Sequence, residues 1–406
     1  DDKPEDIRKK KELFFSFQQE GTPWCKDKTA CDLWTAAFFV ELTNEHVQRN
    51  LIPTTETVRE YIASGGADLP QVKIARLLAS QYRFFHWSLE FPEVFEKGGF
   101  DCVMGNPPWE KLQPEELKFF SQIDTVIATE KNSEKRANLI KALFTKNKTI
   151  EKMWQIYKID IIHRSKFIFW SKRFVSSARG NLNLYKVFTD LSRHLLNDQG
   201  FSGLIVQSGI ATDDLSKEFF EELMIKKQII SLYDFINSNK IFDIHRQMKF
   251  SLITLNKKKS LKPTIFGFNF TKIEDIHNEK RLLEISYEDL VKINPNTKNC
   301  PIVQSREELV LVKKIYNNSL ILQNEATEEN EYNLKIFGEM FNISRAKKFL
   351  RNETDGILEK VTPLFEAKMM YCYDHRYGTF ESANEIEIKQ GIAQELSVNE
   401  KKKTEK

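Results

Sequence analysis

Strands and helices alternate along the sequence from residue 183 onward, and this alternation constrains the fold more than any other feature. The predicted elements are, in order, a helix at 184–196, a turn at 197–200, a strand at 201–206, a helix capped by Asp213 and Asp214, and strands at 229–235, 249–256 and 263–270. Such alternation predicts an α/β fold in which helices cover a largely parallel sheet.

The first 83 residues are predicted to be helical. Thr54 can cap a helix that runs to residue 62, and a second helix is predicted over 70–81. The break at 64–66, Ser-Gly-Gly, is interpreted as a turn between these two helices. A dense aromatic run then follows over residues 82–95.

A short strand then runs directly into two prolines. Residues 100–105 predict a buried strand, and Asn106-Pro107-Pro108-Trp109 follows at once. Because proline has no backbone N–H for a sheet ladder, the strand must stop at this point. The sequence therefore predicts a rigid loop at the end of a strand.

Charge is distributed unevenly along the chain. The 61 Lys and Arg against 58 Asp and Glu give a net charge of only +3, whereas residues 110–180, predicted to be mainly helical, contain 15 basic and 8 acidic residues. Such a basic block is either a solvated surface or a field that can hold a polyanion. The apolar fraction of 41% excludes a wholly disordered chain. No uncharged apolar run approaches the roughly 18 residues of a transmembrane helix, so no membrane partner is expected.

The cysteines indicate a cellular compartment and argue against a metal site. The chain has Cys25, Cys31, Cys102, Cys300 and Cys372, an odd and scattered set that makes a poor disulfide framework. A reducing cytoplasm is therefore expected. Cys25 and Cys31 are close in sequence, but they lack the spacing and the second ligand pair of a zinc site, so no metal is predicted.

The Asn106–Trp109 loop has the residue types that can activate an exocyclic amine. The amino nitrogen of adenine is a poor nucleophile because its lone pair is delocalised into the ring. Hydrogen bonds from this amine to the Asn106 side-chain carbonyl and the Pro107 backbone carbonyl would favour a tetrahedral, more nucleophilic nitrogen that attacks a sulfonium methyl group. Trp109 offers a flat face to an extruded base. The alternative is a simple turn with a buried tryptophan.

The surrounding sequence carries a family resemblance. Residues 84–112, FFHWSLEFPEVFEKGGFDCVMGNPPWEKL, resemble the Eco57I-like restriction–modification enzymes, type IIG-like adenine-N6 DNA methyltransferases. The later segments NLNLYKVFTDLSRHLLNDQGFSGLIVQSGIATDD, SLYDF, MKFSLITL and PLFEAKMMYCYDHRYGTF resemble the same family in the same order. The ordered set is much more specific than the four-residue motif alone.

The resemblance implies a partial Rossmann-like class I methyltransferase sheet with large helical insertions. The implied regions are a helical region at 1–83, a catalytic core at 84–270 with the basic insertion at 110–180, a mixed accessory region at 271–345, a linker toward a target-recognition domain at 346–390, and a disordered tail at 391–406.

The resemblance also implies roles for individual residues. Asn106, Pro107, Pro108 and Trp109 match the catalytic loop of the family. Glu90 and Phe91 resemble the acidic–aromatic pair that holds the adenine end of S-adenosylmethionine; the alternative for Glu90 is a surface carboxylate.

A second aromatic residue of the site comes from later in the chain. Phe242 resembles the residue that stacks on the flipped adenine, with a core role for Phe242, or Phe250 in its place, as the alternatives. Arg246 and Lys249 lie nearby in sequence and can reach DNA phosphates. His245 is interpreted as a DNA contact or a structural residue, not as a general base.

One element of the family pattern is missing. The glycine-rich turn that wraps the methionine part of S-adenosylmethionine is not found, and residues 64–66 do not follow a predicted strand. We therefore expect the chain to begin inside a catalytic domain and to lack a target-recognition domain.

A nuclease site is not predicted, although Asp355 and residues 366–368 superficially fit the spacing of one. These residues fall in a segment that resembles the methyltransferase family, and no strand hairpin is predicted around them. The polar cluster of Glu366, Lys368, Asp374, His375 and Arg376 is interpreted instead as a DNA contact, a hinge lock or a salt-bridged surface.

Three functional hypotheses follow. The first is an adenine-N6 DNA methyltransferase of a restriction–modification or phage-defence system, with double-stranded DNA as its partner and S-adenosylmethionine as its cofactor. The second is a catalytically incomplete subunit that binds DNA or a partner, such as the missing motif segment, a recognition domain or a nuclease component. The third, methylation of a protein glutamine or an RNA base, is disfavoured by the basic insertion and the DNA-family segments.

Overall fold

The structure, a computed structural model, describes residues 3–180, 182–319 and 321–325, together with 327, 330, 333, 377–379, 384, 393–397 and 400–401. The chain divides into two compact units, Asp1–Asn333 and Leu334–Lys406. The predictions for Asp355 and for the cluster from Glu366 to Arg376 lie outside the described residues. No helix in the described ranges is long and apolar enough to cross a membrane.

The first unit begins with a group of helices. They are α1 (Pro4–Phe17), α2 (Pro23–Ala36), α3 (Asn44–Gln48), α4 (Thr55–Ala63) and α5 (Pro70–Tyr82). The Thr54 hydroxyl accepts a hydrogen bond from the Thr57 N–H and closes a capping box, which confirms the predicted start of α4. Gly65 and Gly66 have positive φ angles between α4 and α5, so this segment is the predicted turn.

Further helices flank the first strand. The two short helices α6 (Trp87–Glu90) and α7 (Pro92–Phe95) precede β1 (Phe100–Gly105), and the basic insertion contains α8 (Glu116–Phe120), α9 (Thr125–Thr129), α10 (Ser133–Lys146) and α11 (Lys148–Trp170). The insertion has an apolar cluster of its own, in which the buried Phe120 and Trp154 rings lie 5.4 Å apart. This region is therefore helical, as the sequence predicts.

The remaining elements of the first unit complete the sheet. They are α12 (Leu184–Leu195), β2 (Leu196–Gln207), α13 (Gly209–Thr212), α14 (Lys217–Ile225), β3 (Ile229–Ile236), β4 (Lys249–Asn256), β5 (Ile265–Phe270), β6 (Leu283–Glu284), α15 (Tyr287–Ile293) and α16 (Arg306–Asn318). The strand order is β1-β2-β4-β3-β5-β6. The fold is α/β with a mixed sheet and many helices, in agreement with the predicted class.

The sheet is less parallel than the sequence suggests. β1 and β2 are parallel, and so are β3 and β5, but β4 lies antiparallel between β2 and β3. The β3–β4 connection contains only a short turn at Asn237–Asn239, and no helix that could serve as a crossover. Because parallel neighbours need a long crossover, this direct connection returns the chain antiparallel to β3.

Two local predictions about β1 and β2 are wrong. The sequence predicts a buried β1, yet Asp101, Cys102, Met104 and Gly105 are exposed, and β1 is the outermost strand of the described sheet. Residues 197–200 were expected to form a separate turn, but they lie within β2.

The turn-forming residues make an irregularity in the sheet register. Phe100 pairs with Leu196 whereas Cys102 pairs with Phe201, so the four residues 197–200 lie opposite Asp101 alone, and three of them are extra on the β2 side. Here the two backbones approach closely, and a Cβ atom at Gly200 would lie 2.5 Å from the Phe100 carbonyl oxygen. Only glycine fits this approach without a shift of β1 or β2.

The second unit is described in small part. Gly378–Thr379 (β7) and Gln394–Glu395 (β8) pair antiparallel as a two-stranded sheet. β8 lies in the segment 391–406, for which the sequence predicts a disordered tail, and that prediction stays a prediction.

Candidate active site

The Asn106–Trp109 loop leaves the carboxyl end of β1 and is anchored to the sheet. The Trp109 Nε1–H donates to the Ile205 carbonyl oxygen in β2 at 3.1 Å. Just after the loop, the Leu184 N–H donates to the Glu110 carbonyl oxygen at 3.0 Å. The loop is therefore fixed at the β1 end, on the sheet through the indole, and at the start of α12.

A cavity of about 350 Å³ opens at this loop. It is lined by Asn106, Pro107, Pro108, Trp109, Phe242 and Ile244. The loop follows β1, and the segment with Phe242 follows β3, so the cavity lies where parallel strands end at their carboxyl edge. That edge is the usual ligand position in open α/β sheets. None of the six lining residues is titratable, so the cavity wall offers carbonyl groups and rings rather than an acid or a base.

Phe242 and Phe250 have different surroundings. Phe242 is half-buried and lines the cavity, and its ring packs edge-on against the Phe250 ring with centroids 4.9 Å apart. Phe250 is buried in β4 and stacks on Phe235 at 5.2 Å. Of the two aromatic candidates, Phe242 therefore faces the cavity and Phe250 supports it from the core.

Of the basic candidates, Arg246 lies on the β3–β4 connection and Lys249 begins β4. Arg246 and Lys249 are both exposed, and the Lys249 Nζ donates to the Asn269 side-chain oxygen at 3.2 Å. The His245 Nδ1 accepts a hydrogen bond from the Gln247 N–H at 3.2 Å, which is a structural contact within the loop. The two cations are thus accessible to a ligand outside the protein, at the rim of the connection that carries Phe242.

Glu90 and Phe91 are not brought to this cavity. Glu90 lines a separate cavity of about 410 Å³, together with Trp24, Asp32 and Arg76. The Phe91 ring lies 5.5 Å from the Phe100 ring, at the start of β1. Since a strand rises about 3.3 Å per residue, the six residues of β1 place its two ends roughly 17 Å apart.

The buried carboxyl in β3 does not line the cavity. Asp234 is 3% exposed, and it lies on the opposite face of β3 from Phe235. Burial raises the pKa of the Asp234 carboxyl, against hydrogen bonds from the Asn269 N–H and the Ser251 hydroxyl that lower it. The residues that the structure describes contain no group of three His, Cys, Asp or Glu that could hold a metal ion.

Two residues of the site were not identified from the sequence. Ile244 lines the cavity from an irregular loop, where no periodicity marks it. Asn237 is fully buried and bonds to the backbone of that loop. The Asn-Ser-Asn run after a strand is a turn signal, and this signal could have pointed to Asn237.

An asparagine–diproline loop and an aromatic ring thus line one cavity at the carboxyl edge of a mixed α/β sheet. The model of the Eco57I restriction-modification methylase family matches residues 24–242, more than half of the chain. The chain therefore belongs to this family.

Solved structures of restriction–modification proteins are similar to parts of the chain. One is a type I restriction-modification system methyltransferase subunit from Streptococcus thermophilus, at 13% identity and a TM-score of 0.30 over 50% of this chain and 39% of that one. Another is a nuclease-deletion mutant of the Type ISP restriction-modification enzyme LlaGI in complex with a DNA substrate mimic. It has 15% identity and a TM-score of 0.26, over 53% of this chain and 15% of that one. A third, a DrdV–DNA complex, has 11% identity and a TM-score of 0.29, over 48% of this chain and 18% of that one.

The chain spans well under half the length of each of these proteins. Among curated proteins, none matches the sequence.

Proposed function

We propose that the chain is the catalytic part of a site-specific adenine-N6 DNA methyltransferase that uses S-adenosylmethionine, in a restriction–modification or phage-defence system. The observation that carries this proposal is the cavity in which the Asn106–Trp109 loop meets Phe242. Family membership supports methylation as the reaction. The cytoplasm is the proposed location.

The loop would bind the amine of a flipped adenine. The Asn106 side-chain carbonyl and the Pro107 backbone carbonyl would accept its two N–H groups, and this would increase the nucleophilicity of the nitrogen. The prolines and the Trp109–Ile205 hydrogen bond restrain the backbone of the loop, and with it the Pro107 carbonyl, so the backbone would need little reorganisation when the base arrives. The rings of Trp109 and Phe242 provide the stacking surfaces.

The cofactor would supply an electrophilic methyl group to this nitrogen. Glu90 is suited to its adenine end, because the side chain is half-buried and has neither a hydrogen-bond nor an ion-pair partner among the described residues. Yet Glu90 lies in a different cavity from Asn106. The described residues thus provide the base side of the site more fully than the cofactor side.

The basic insertion is the proposed contact to the DNA backbone. Lys135, Lys141 and Lys152 are exposed on α10 and α11. Arg246 and Lys249 would add phosphate contacts beside the cavity. Because neutralised phosphates release counterions, DNA binding through these groups should weaken steeply as salt is raised.

A catalytically incomplete subunit is the second candidate, and the outer edge of the sheet favours it. β1 carries the catalytic loop, yet Met104 in this strand is 80% exposed. Unprotected edge strands commonly pair with another strand. In this case a further segment or partner would cover β1 and bring the rest of the cofactor pocket.

The test of the proposed function is methyl transfer from labelled S-adenosylmethionine to duplex DNA, with the modified nucleoside identified by mass spectrometry. The wild-type chain should form N6-methyladenine, and Asn106→Ala should lower the rate by about 10²–10³-fold, as for loss of one preorganised hydrogen-bonding group. The matched control is Asn317→Ala, an exposed asparagine on α16, away from the basic insertion and the cavity. Methylcytosine as the product, or undiminished activity in Asn106→Ala, contradicts the proposal.

The second candidate makes a different prediction for the same chain. DNA binding without methyl transfer, and no heat of binding with S-adenosylmethionine, would favour it. Methyl transfer that appears only after a polypeptide with the glycine-rich turn is added would identify the missing partner.

A further inference from the structure

The segment that carries Phe242 has little regular structure to hold it in place. After β3 the chain makes one short turn at Asn237–Asn239 and then runs without helix or strand to Lys249, where β4 begins. Lys240 has a left-handed backbone with a φ of 54°, which reverses the chain so that it returns over Asn237. Something other than secondary structure must therefore fix the Phe242 ring at the cavity.

The side chain of Asn237 lies at the centre of this segment. It is fully buried, and its Oδ1 accepts a hydrogen bond from the Phe242 N–H at 3.0 Å. Its Nδ2 donates to the carbonyl oxygens of Phe242, Ile244 and His245 at 3.0, 3.1 and 3.4 Å. The Asn237 N–H also donates to the Met248 carbonyl oxygen at 2.9 Å. A single amide thus binds the loop at both cavity-lining residues.

We propose that Asn237 is the positioning residue of the base-binding site, acting through Phe242. The inference rests on the proposed function, because it assigns Phe242 the contact with the extruded base. Asn237 fixes the backbone on either side of Phe242, while the Phe250 ring supports Phe242 from the core at 4.9 Å. With the amide removed, Phe250 still packs in β4, but no bond from this side chain holds the Phe242 backbone over the cavity.

The role needs an amide of this length. Asparagine offers both a donor nitrogen and an acceptor oxygen. An aspartate at this position would keep the shape but lose every side-chain donor, and its carboxylate would face three carbonyl oxygens. Asn237→Asp is therefore the sharpest variant, since it keeps the acceptor oxygen and replaces the donor nitrogen with a second acceptor, with almost no change in volume. Asn237→Ser, small and neutral, serves in its place if Asn237→Asp does not fold.

The matched control is another buried asparagine. Asn299 is 9% exposed, and its Nδ2 donates to the Thr212 carbonyl oxygen at 3.3 Å, but it does not line the cavity. Asn299→Asp therefore introduces a comparable buried carboxylate away from the Phe242 loop. It reports what a general loss of stability does to binding.

The probe is a single-stranded oligonucleotide with one 2-aminopurine, an adenine analogue whose fluorescence is quenched when the base stacks. Phe242→Ala and Asn237→Asp should each weaken binding by about tenfold, the order expected for loss of one base stack. The double variant should bind no more weakly than Phe242→Ala, because Asn237 acts through that ring. Asn299→Asp should bind the probe within about twofold of the wild type, even if its unfolding midpoint falls as far as that of Asn237→Asp.

Four results would overturn the inference. They are wild-type binding by Asn237→Asp (or by Asn237→Ser where that replaces it), losses that add in the double variant, an equal loss in Asn299→Asp, and no quenching by the wild-type chain.

Methyl transfer, measured in parallel, separates this inference from the proposed function. An inactive wild type that retains the binding pattern contradicts the proposed function alone. Full activity in Asn237→Asp beside an inactive Phe242→Ala contradicts this inference alone.

Discussion

The inner strands of the sheet and its outer strand β1 differ in how completely they are covered. Phe250 in β4 and Leu232 in β3 are 2% and 0% exposed, and both strands have neighbours on each side. In β1, Met104 is 80% exposed, and β2 is the one neighbour among the described strands. The chain therefore builds a well-packed support for the loop that carries Phe242, while the strand that leads to Asn106 is the outermost of the described strands.

The Asn106–Trp109 loop belongs to both regions. It begins on the exposed strand, but Trp109 bonds to Ile205 in β2 and packs against the core clusters. The loop can thus be rigid although β1 is uncovered. We therefore expect substitutions of core side chains in the inner strands to lower the free energy of unfolding. Substitutions of exposed side chains on β1 should lower it little unless a partner covers that strand.

The largest contrast is expected between a ring in β4 and a side chain on β1. Phe250→Ala should lower the free energy of unfolding by about 3–5 kcal/mol, the usual cost of removing a buried phenylalanine ring. Met104→Ala should change it by less than about 0.5 kcal/mol, as for most exposed positions. Both are measured by denaturant unfolding of the full chain. Equal losses would mean that β1 is not an exposed edge.

The contact between β1 and β2 can be tested at Gly200. A Cβ atom there would lie 2.5 Å from the Phe100 carbonyl oxygen, so Gly200→Ala should cost about 1–3 kcal/mol through a forced backbone shift. The matched control is Gly203→Ala, where the nearest atom, in the Met104 side chain, is 3.9 Å away. Hydrogen exchange should speed up in β1 for the first variant only. Unchanged exchange in both would contradict the close approach.

The ion pair between Glu222 on α14 and Arg193 on α12 makes the stability of the protein depend on pH. Burial raises the pKa of Glu222, but hydrogen bonds from Lys226 and Arg193 outweigh it and lower that pKa from 4.5 to about 2. A carboxyl with a depressed folded pKa stabilises the protein above its ordinary pKa, and this stability is lost as the pH falls from about 4.5 to 2.

Glu222→Gln should therefore remove about 1–2 kcal/mol at pH 7, after allowance for partial exposure, and flatten the stability profile between pH 4.5 and 2. Unfolding curves at pH 7 and pH 3 measure the change, and Glu274→Gln at an exposed position is the control. The prediction fails if both variants keep the wild-type pH dependence.

The smallest effect on stability among the buried contacts is expected at the anchor of the Asn106–Trp109 loop. Trp109→Phe keeps an aromatic ring but removes the donor to Ile205, so stability should fall by about 0.5–1 kcal/mol. The methyl-transfer rate should fall more than stability suggests, because the loop loses its fixed direction. Trp170→Phe, an exposed tryptophan at the end of α11, is the control. A rate equal to that of the wild type would show that the indole bond does not orient the loop.

Many local elements could be predicted from the sequence. The Thr54 cap, the strand that stops at Pro107, and the strands near 229–235 and 249–256 follow from side-chain chemistry within a few residues. The sequence also predicts that Phe242 faces the same ligand as Asn106, and the structure places both at one cavity.

The predictions that failed depend on neighbours distant in sequence. The apolar character of 100–105 predicts a buried strand, but burial depends on what lies beyond β1 in the sheet. The polar residues 197–200 have turn chemistry, yet pairing with β1 draws them into β2 as a register irregularity. The roles of Glu90 and Phe91 stay predictions, because these residues lie at another cavity and at the start of β1.

The sequence by itself determined the chemical groups of the candidate site and the points at which elements end. These are an amide before two prolines, a basic block, and an alternation of strands and helices. These are properties of single residues and short spacings. Only the tertiary structure decided that β4 lies antiparallel inside the sheet and that Phe242 rather than Phe250 faces the cavity. It also decided that the Asn237 side chain binds the backbone of the segment with Phe242. Such choices depend on which backbones share a sheet edge and which carbonyl groups a folded loop turns inward, and no local pattern specifies them.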